Sequence, residues 1–153
     1  MSNNLVADAL QEVLQASYAV FLMTHNYHWN VEGPQFASLH ALLEEHYTEY
    51  FEAVDTIAER IRTLDSYALK TGYGDIAKSL ADIHQPLESD KNGEAKSKMM
   101  LSALIKLNET LIESCKKAKE AAVKADDDES EDLMIQRIDI HQKNNWMYKS
   151  TLA

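Results

Sequence analysis

The stretch from His28 to Glu59, HWNVEGPQFASLHALLEEHYTEYFEAVDTIAE, decides the fold. It begins with a histidine, breaks at Gly33-Pro34, and then keeps one apolar face to its end. Phe36, Leu39, Leu43, Tyr47, Tyr50, Val54, Ile57, Ile61 and Leu64 recur every three or four residues, which predicts a helix from about Phe36 to Tyr67. His40, Glu44, Asp55 and Glu59 lie on that helix. At about 100° per residue they share an arc of about 100°. The rise of about 1.5 Å per residue separates Glu44 from Asp55 by roughly 16 Å along the axis. A single helix therefore cannot wrap all four side chains around one ion.

Upstream, residues 5 to 30 form a first helix, with Val6, Leu10, Val13, Leu14, Ser17, Phe21 and Thr24 on its stripe and Asn3 or Asn4 available to cap it. Gly33 and Pro34 end the pattern and redirect the chain. Downstream, residues 68 to 93 are too long for a simple turn. Thr71-Gly72-Tyr73-Gly74 is turn-like, Ile76 to Ile83 suits a short helix, and Pro86 to Gly93 reads as a polar loop. A third long helix covers about Glu94 to Ala125, with Met100, Leu104, Leu107, Leu111, Ile112, Cys115 and Ala118 inward. Lys116, Lys117, Lys119 and Lys124 suit the negative end of its dipole. The acidic run Asp126 to Asp132 follows, then a fourth long helix to about Ser150 carrying Leu133, Ile140, Trp146 and Met147. The expected fold is all-α: an antiparallel four-helix bundle of the ferritin-like type, with a short extra helix in the connection between its second and third long helices.

The chain has 153 residues, which suits one domain spanning residues 1–153. A lone cysteine, Cys115, excludes an internal disulfide framework and suits a reducing compartment. The segment MSNNLVADALQEV has neither the basic nor the apolar region of a signal peptide, and no apolar run reads as a membrane span. A cytoplasmic protein without membrane partners is the expectation. The net charge of -10 is uneven, for residues 1 to 59 carry nine acids and no Lys or Arg. Such a surface repels nucleic acid and attracts cations.

Imidazole and carboxylate together suit iron, manganese or zinc, and the absence of thiolates argues against a structural zinc site. The Glu-x-x-His pattern of an intrabundle carboxylate site is missing. Ala37, Leu43, Ala81 and Ile138 stand three residues before His40, His46, His84 and His141. Symmetry offers another route. If two copies of the helix pack antiparallel about a two-fold axis, His40 and Glu44 of one meet Asp55 and Glu59 of the other, giving two equivalent sites per dimer. His28, twelve residues before His40 and across the turn, folds back to join it. Each residue also has an ordinary reading: a packed histidine, or a solvated acidic face with local pairing to Arg60. His25 and His46 are taken as bystanders.

The strings His28-Trp29-Asn30-Val31-x-Gly33, Phe36-x-x-Leu39-His40 and Asp55-x-x-Ala58-Glu59-Arg60 resemble the Dps proteins, the mini-ferritins named as DNA-binding proteins from starved cells. The ending His141-x-Lys143-x-x-Trp146-Met147 is similar to the family's last helix. The resemblance covers essentially the whole chain. It implies hollow dodecamers that store ferric mineral, with ferroxidase centres between two-fold-related subunits. By match to the motif, His28, His40 and Glu44 would come from one subunit and Asp55 and Glu59 from its mate. Trp29 would resemble the family tryptophan that absorbs stray oxidising equivalents. Tyr27, Tyr47 and Tyr50 are read first as packing. Two positions depart from the pattern: Glu44 stands where Asp is usual, and Gln142 where Glu is usual.

The resemblance implies an enzyme that oxidises Fe(II), two ions per centre, with hydrogen peroxide preferred, to ferric oxyhydroxide and water. Asp128 and Asp132, spaced i and i+4, resemble a pore lining that guides iron inward, and equally suit a polar loop and helix cap. Lys/Arg-rich arms are missing from the ends, so DNA binding is expected to be weak or absent at physiological salt. The rival readings are a metal-sequestering or DNA-compacting shell without ferroxidase turnover, and a monomeric bundle without metal.

Overall fold

The computed structural model describes residues 4–87 and 92–153. Five helices follow one another: α1 (Leu5–Asn30), α2 (Phe36–Thr63), α3 (Gly74–Ile83), α4 (Gly93–Lys124) and α5 (Asp128–Leu152). Among the described residues there is no strand. The four long helices form the bundle, and α3 lies in the crossover and packs on α1.

Side-chain contacts give the directions of the helices. His28 meets His40, so α1 and α2 are antiparallel. Glu49 meets Arg137 and Arg60 meets Asp127, so α2 and α5 are antiparallel. Asn108 meets Asn145, so α4 and α5 are antiparallel as well. It follows that α2 and α4 run the same way. The chain leaving α2 must therefore travel back along the bundle before α4 can start, which explains the long connection.

Caps fix the helix ends. Asn4 Oδ1 accepts from Ala7 N at 3.1 Å, Asn92 Oδ1 from Ala95 N at 2.8 Å, and Asp127 Oδ1 from Ser130 N at 3.0 Å. The α5 cap lies inside the acidic run, so Asp128, Glu129 and Glu131 form its first turn, where negative charge suits the helix dipole.

Three expectations need correcting. First, α2 ends at Thr63, four residues before Tyr67. Asp65 takes a left-handed φ of 59°, and Leu64 O accepts from Asn4 Nδ2 at 2.7 Å, so the last turn is captured by α1. Gln11 extends the capture by donating to Tyr67 O and accepting from Leu69 N, which holds Leu69 at φ 49°. Second, α1 proves long and apolar enough, by length and composition, to cross a membrane. Here Leu10, Val13, Leu14, Val20 and Tyr27 instead form the bundle core.

Third, Leu133, Ile140, Trp146 and Met147, the apolar residues that mark the last helix in the sequence, do not form its buried face. Its buried residues are Ser130, Met134, Arg137, His141, Asn144, Asn145 and Tyr148, while Trp146 is 64% exposed and Leu133, Ile140 and Met147 are only half-buried. Short-range backbone packing joins α1 to α2, α1 to α4 and α4 to α5. Across the α2–α5 seam, long polar side chains make the contact. The expected loop from Pro86 to Gly93 partly falls outside the described residues, because Glu88 to Lys91 are not among them.

Candidate metal centre

The α1–α2 hairpin brings together the two histidines that open the deciding stretch. His28 is in the last turn of α1 and buried, and His40 is in the second turn of α2 and half-buried. Their rings stack at 3.9 Å between centroids and 16° between planes. Each ring is tied to the other residue's backbone: His28 Nδ1 lies 2.8 Å from His40 O, and His40 Nδ1 lies 2.7 Å from His28 O. A carbonyl oxygen only accepts, so both Nδ1 atoms carry the proton when the rings are neutral. Both Nε2 atoms then hold a lone pair, the arrangement a metal-binding imidazole requires. Phe36 stacks on His40 at 5.1 Å, and Tyr47 meets His28 edge-on at 5.1 Å.

The carboxylates are placed differently. Glu44 is exposed one turn beyond His40, and Asp55 and Glu59 are exposed further along α2. Among the described residues, none of the three takes a side-chain hydrogen bond or ion pair. Nor do any three His, Cys, Asp or Glu side chains of one chain converge closely enough to hold an ion. The structure thus joins His28 to His40 and leaves Asp55 and Glu59 at a distance. Arg60 turns away from Glu59 and bonds instead to α5, with Nη2 2.7 Å from Asp127 Oδ1 and Nε 2.9 Å from Ser130 Oγ. Burial alone would raise the Asp127 pKa, but hydrogen bonds from Ser130 and the Arg60 charge outweigh it and bring it below the usual value.

Apolar groups surround this face. Trp29 is 59% exposed beside the histidines and packs on His25, whose ring also lies 4.4 Å from that of Tyr47. Phe51, between Glu44 and Asp55 on α2, is 61% exposed. It borders a groove whose lining includes Asp55, Tyr18, Leu69 and Tyr73. The pore candidates Asp128 and Asp132 are exposed on α5, and Asp132 Oδ2 accepts from Gln136 Nε2 at 2.8 Å.

Sequence reasoning missed a second polar cluster, which fills the α2–α5 seam. Arg137 makes a two-pronged ion pair with Glu49, at 2.6 and 2.9 Å, and Arg137 Nη2 lies 3.1 Å from His141 Nε2. His141 Nδ1 contacts Asn108 Oδ1 at 2.9 Å, and Asn108 Nδ2 donates to Asn145 Oδ1 at 2.9 Å. His46, read as a bystander, contacts the Tyr148 hydroxyl at 2.5 Å, and Asn144 donates to the Tyr50 hydroxyl at 2.7 Å. Burial holds His46 down to about 4, and burial, with the Arg137 charge adding to it, lowers His141 well below its ordinary value. Both are therefore neutral near pH 7. Burial also raises Tyr50 and Cys115, each to about 12, so Cys115 is an inert thiol in the core. The signal was the spacing of Ser130, Met134, Arg137, His141, Asn144 and Tyr148, a helix stripe made mostly of polar residues.

Comparisons with known proteins agree with this architecture. Residues 7–153 match the ferritin-like domain family. The chain is 32% identical over 148 residues to the DNA protection during starvation protein of Brevibacillus brevis, covering 97% of this chain and 95% of that one. It is 31% identical over 150 residues to DNA protection during starvation protein 2 of Bacillus anthracis, covering 98% of each. The crystal structure of a Dps protein from Vibrio cholerae, described as a ferritin-like diiron-carboxylate protein, superposes with a TM-score of 0.81 at 28% identity, covering 97% of this chain and 89% of that one. With its four-helix bundle, its crossover helix and these relatives, the chain belongs to the Dps family of ferritin-like proteins.

Proposed function

We propose that this protein is a ferroxidase and iron store whose centres form between two copies of the chain. Membership in the ferritin-like diiron-carboxylate superfamily supports iron storage and protection in general. The observation that carries the finer reading is the split donor set. Two imidazoles with free Nε2 atoms stand beside the N-terminal end of α2, and Asp55 and Glu59 stand unpartnered further along that helix, Asp55 about 22 Å along the axis from His40. An antiparallel mate brings each half to the other's complement. The exposed Trp29 and Phe51 beside that strip give a second copy apolar surface to cover.

In each centre His28, His40 and Glu44 of one subunit and Asp55 and Glu59 of its mate would hold two Fe(II) ions as substrate. Hydrogen peroxide takes one electron from each ion as its O–O bond breaks. Hydrolysis then yields two ferric oxyhydroxide units per peroxide, with release of protons. The imidazoles supply neutral lone pairs, and the carboxylates offset the rising charge of the ferric product. A dodecameric shell is the assembly we assign, with Asp128 and Asp132 lining the iron inlet and Trp29 intercepting stray oxidising equivalents. A cytoplasmic setting fits the buried, free Cys115.

Glu44 favours a second reading. Its extra methylene, relative to the family's usual Asp, moves the carboxylate by about 1.5 Å, enough to weaken one metal position and leave a shell that sequesters without rapid turnover. Anaerobic Fe(II) titration of the assembled protein, followed by a peroxide pulse, tests both. Two ions per subunit and rapid oxidation support the ferroxidase, binding without oxidation supports sequestration, and a native mass near 18 kDa refutes both.

A further inference from the structure

The turn between the two histidines, Val31 to Gln35, rests on the first turn of α4. A Cβ built on Gly93, the first residue of α4, would lie 2.6 Å from Gly33 N and 2.7 Å from Glu32 C. One built on Gly33, whose φ is 96°, would lie 3.0 Å from both Glu94 N and Gly93 C. The two backbones thus touch with no room for a methyl group. Two bonds hold them there: Ser97 Oγ donates to Glu32 O at 2.9 Å, sharing its hydrogen with Gly93 O of its own helix at 3.0 Å, and Lys96 Nζ donates to Glu32 Oε2 at 3.2 Å. Lys96 and Ser97 are buried, as is Val31 within the turn.

From this contact we infer that Gly93 is a positioning residue for the His28/His40 pair, an inference that rests on the metal-binding reading above. The imidazoles are aimed by the backbone carbonyls of His28 and His40, which stand at the two ends of this hairpin. Whatever moves the turn relative to α1 changes the angle between those carbonyls, and with it the directions of the two Nε2 atoms. A methyl group at position 93 needs nearly 1 Å of separation between turn and α4 to reach ordinary packing distance. A metal site tolerates about 0.5 Å of misplacement. Helix propensity predicts the opposite sign, for alanine is the better helix former. Any loss therefore comes from the contact.

The test uses Co(II), which binds such donors without being oxidised, added anaerobically to the assembled wild-type protein and to His40→Ala, Gly93→Ala and Gly74→Ala. Gly74 also starts a helix, and a Cβ there meets nothing within 4 Å. The expected result is a Co(II) absorption band that His40→Ala abolishes, that Gly74→Ala leaves unchanged, and that Gly93→Ala shifts in energy. Affinity in Gly93→Ala should fall on the order of ten- to a hundredfold, with native mass unchanged. A wild-type band and affinity in Gly93→Ala would overturn the inference. Absence of a His40-dependent band in the wild type would remove the metal-binding reading on which it stands. Should Gly93→Ala not assemble, Ser97→Ala carries the test, because it loosens the same seat without adding an atom. A weakened band then supports the inference, and wild-type behaviour overturns it.

Discussion

Mixing two inactive variants should restore activity, and the geometry sets how much. His40→Ala removes a donor from the half-site that each subunit keeps, and Asp55→Ala removes one from the half-site it lends. Either variant alone damages every centre. When the two are unfolded together in equal amounts and reassembled, half of the two-fold pairs are mixed on a random draw. Within a mixed pair, one centre combines both lesions. The other combines the intact histidine half of the Asp55→Ala subunit with the intact carboxylate half of the His40→Ala subunit. About one centre in four is therefore complete, and about a quarter of wild-type Fe(II) oxidation should return. The assay is the initial rate of ferric absorbance after a peroxide pulse, with each variant alone as baseline. A site closed within one chain predicts no recovery whatever the mixing ratio, and that result would refute the symmetry argument. The ratio dependence is a second check. If p is the fraction of one variant, recovery should follow p(1 − p), highest at equal amounts.

Acid should weaken the fold through the α2–α5 seam. His141 and His46 have folded pKa values below 6.5, so the unfolded chain binds more protons as pH falls through that value. Stability from this source is complete above about 6.5, and is lost as pH drops toward about 4, where His46 titrates in the folded chain. The slope is about 1.4 kcal/mol per pH unit for each histidine, so His141→Gln should roughly halve the pH dependence measured by denaturant titration. An unchanged slope would count against the buried neutral pair. Glu44→Asp should tighten the second Fe(II) site by several-fold in anaerobic titration, and equal affinities would show that position 44 is not a ligand. With a net charge of -10, the assembled protein should not retard DNA in a gel shift at about 150 mM salt. Tight retardation that salt abolishes would reverse that expectation.

The helices that bury apolar stripes were legible because a 3.6-residue period leaves a one-dimensional trace. α1 and α4 fall within a residue of their expected bounds, and every residue expected inward on α4 is buried. α5 was only partly legible. Its stripe has the right period but is built from Arg137, His141, Asn144 and Asn145, whose burial depends on partners in α2 and α4. A polar side chain enters a core when its hydrogen bonds are made there, and nothing local to α5 says that Glu49 or Asn108 will be in reach. The last turn of α2 failed for a related reason. Ser66 and Tyr67 continue an acceptable helical pattern, but Asn4 and Gln11 of α1 bond to the backbone at residues 64, 67 and 69 and divert it.

By itself the sequence determined the all-α class and the crossover, and it supplied the imidazoles and carboxylates proposed as iron ligands, because these follow from composition, period and rise per residue. It also determined that one helix could not close the site, since Glu44 and Asp55 are about 16 Å apart on any straight α-helix. Only the tertiary structure decided which histidine atoms are available. The crossed bonds of His28 Nδ1 to His40 O and His40 Nδ1 to His28 O depend on the packing of two helices, and they leave both Nε2 lone pairs free. The tertiary structure likewise decided that the hairpin rests on Gly93, sixty residues beyond Gly33, through a backbone contact that leaves no pattern in the sequence. Periodicity records which face of a helix is buried, whereas the aim of a donor atom is set by neighbours distant along the chain.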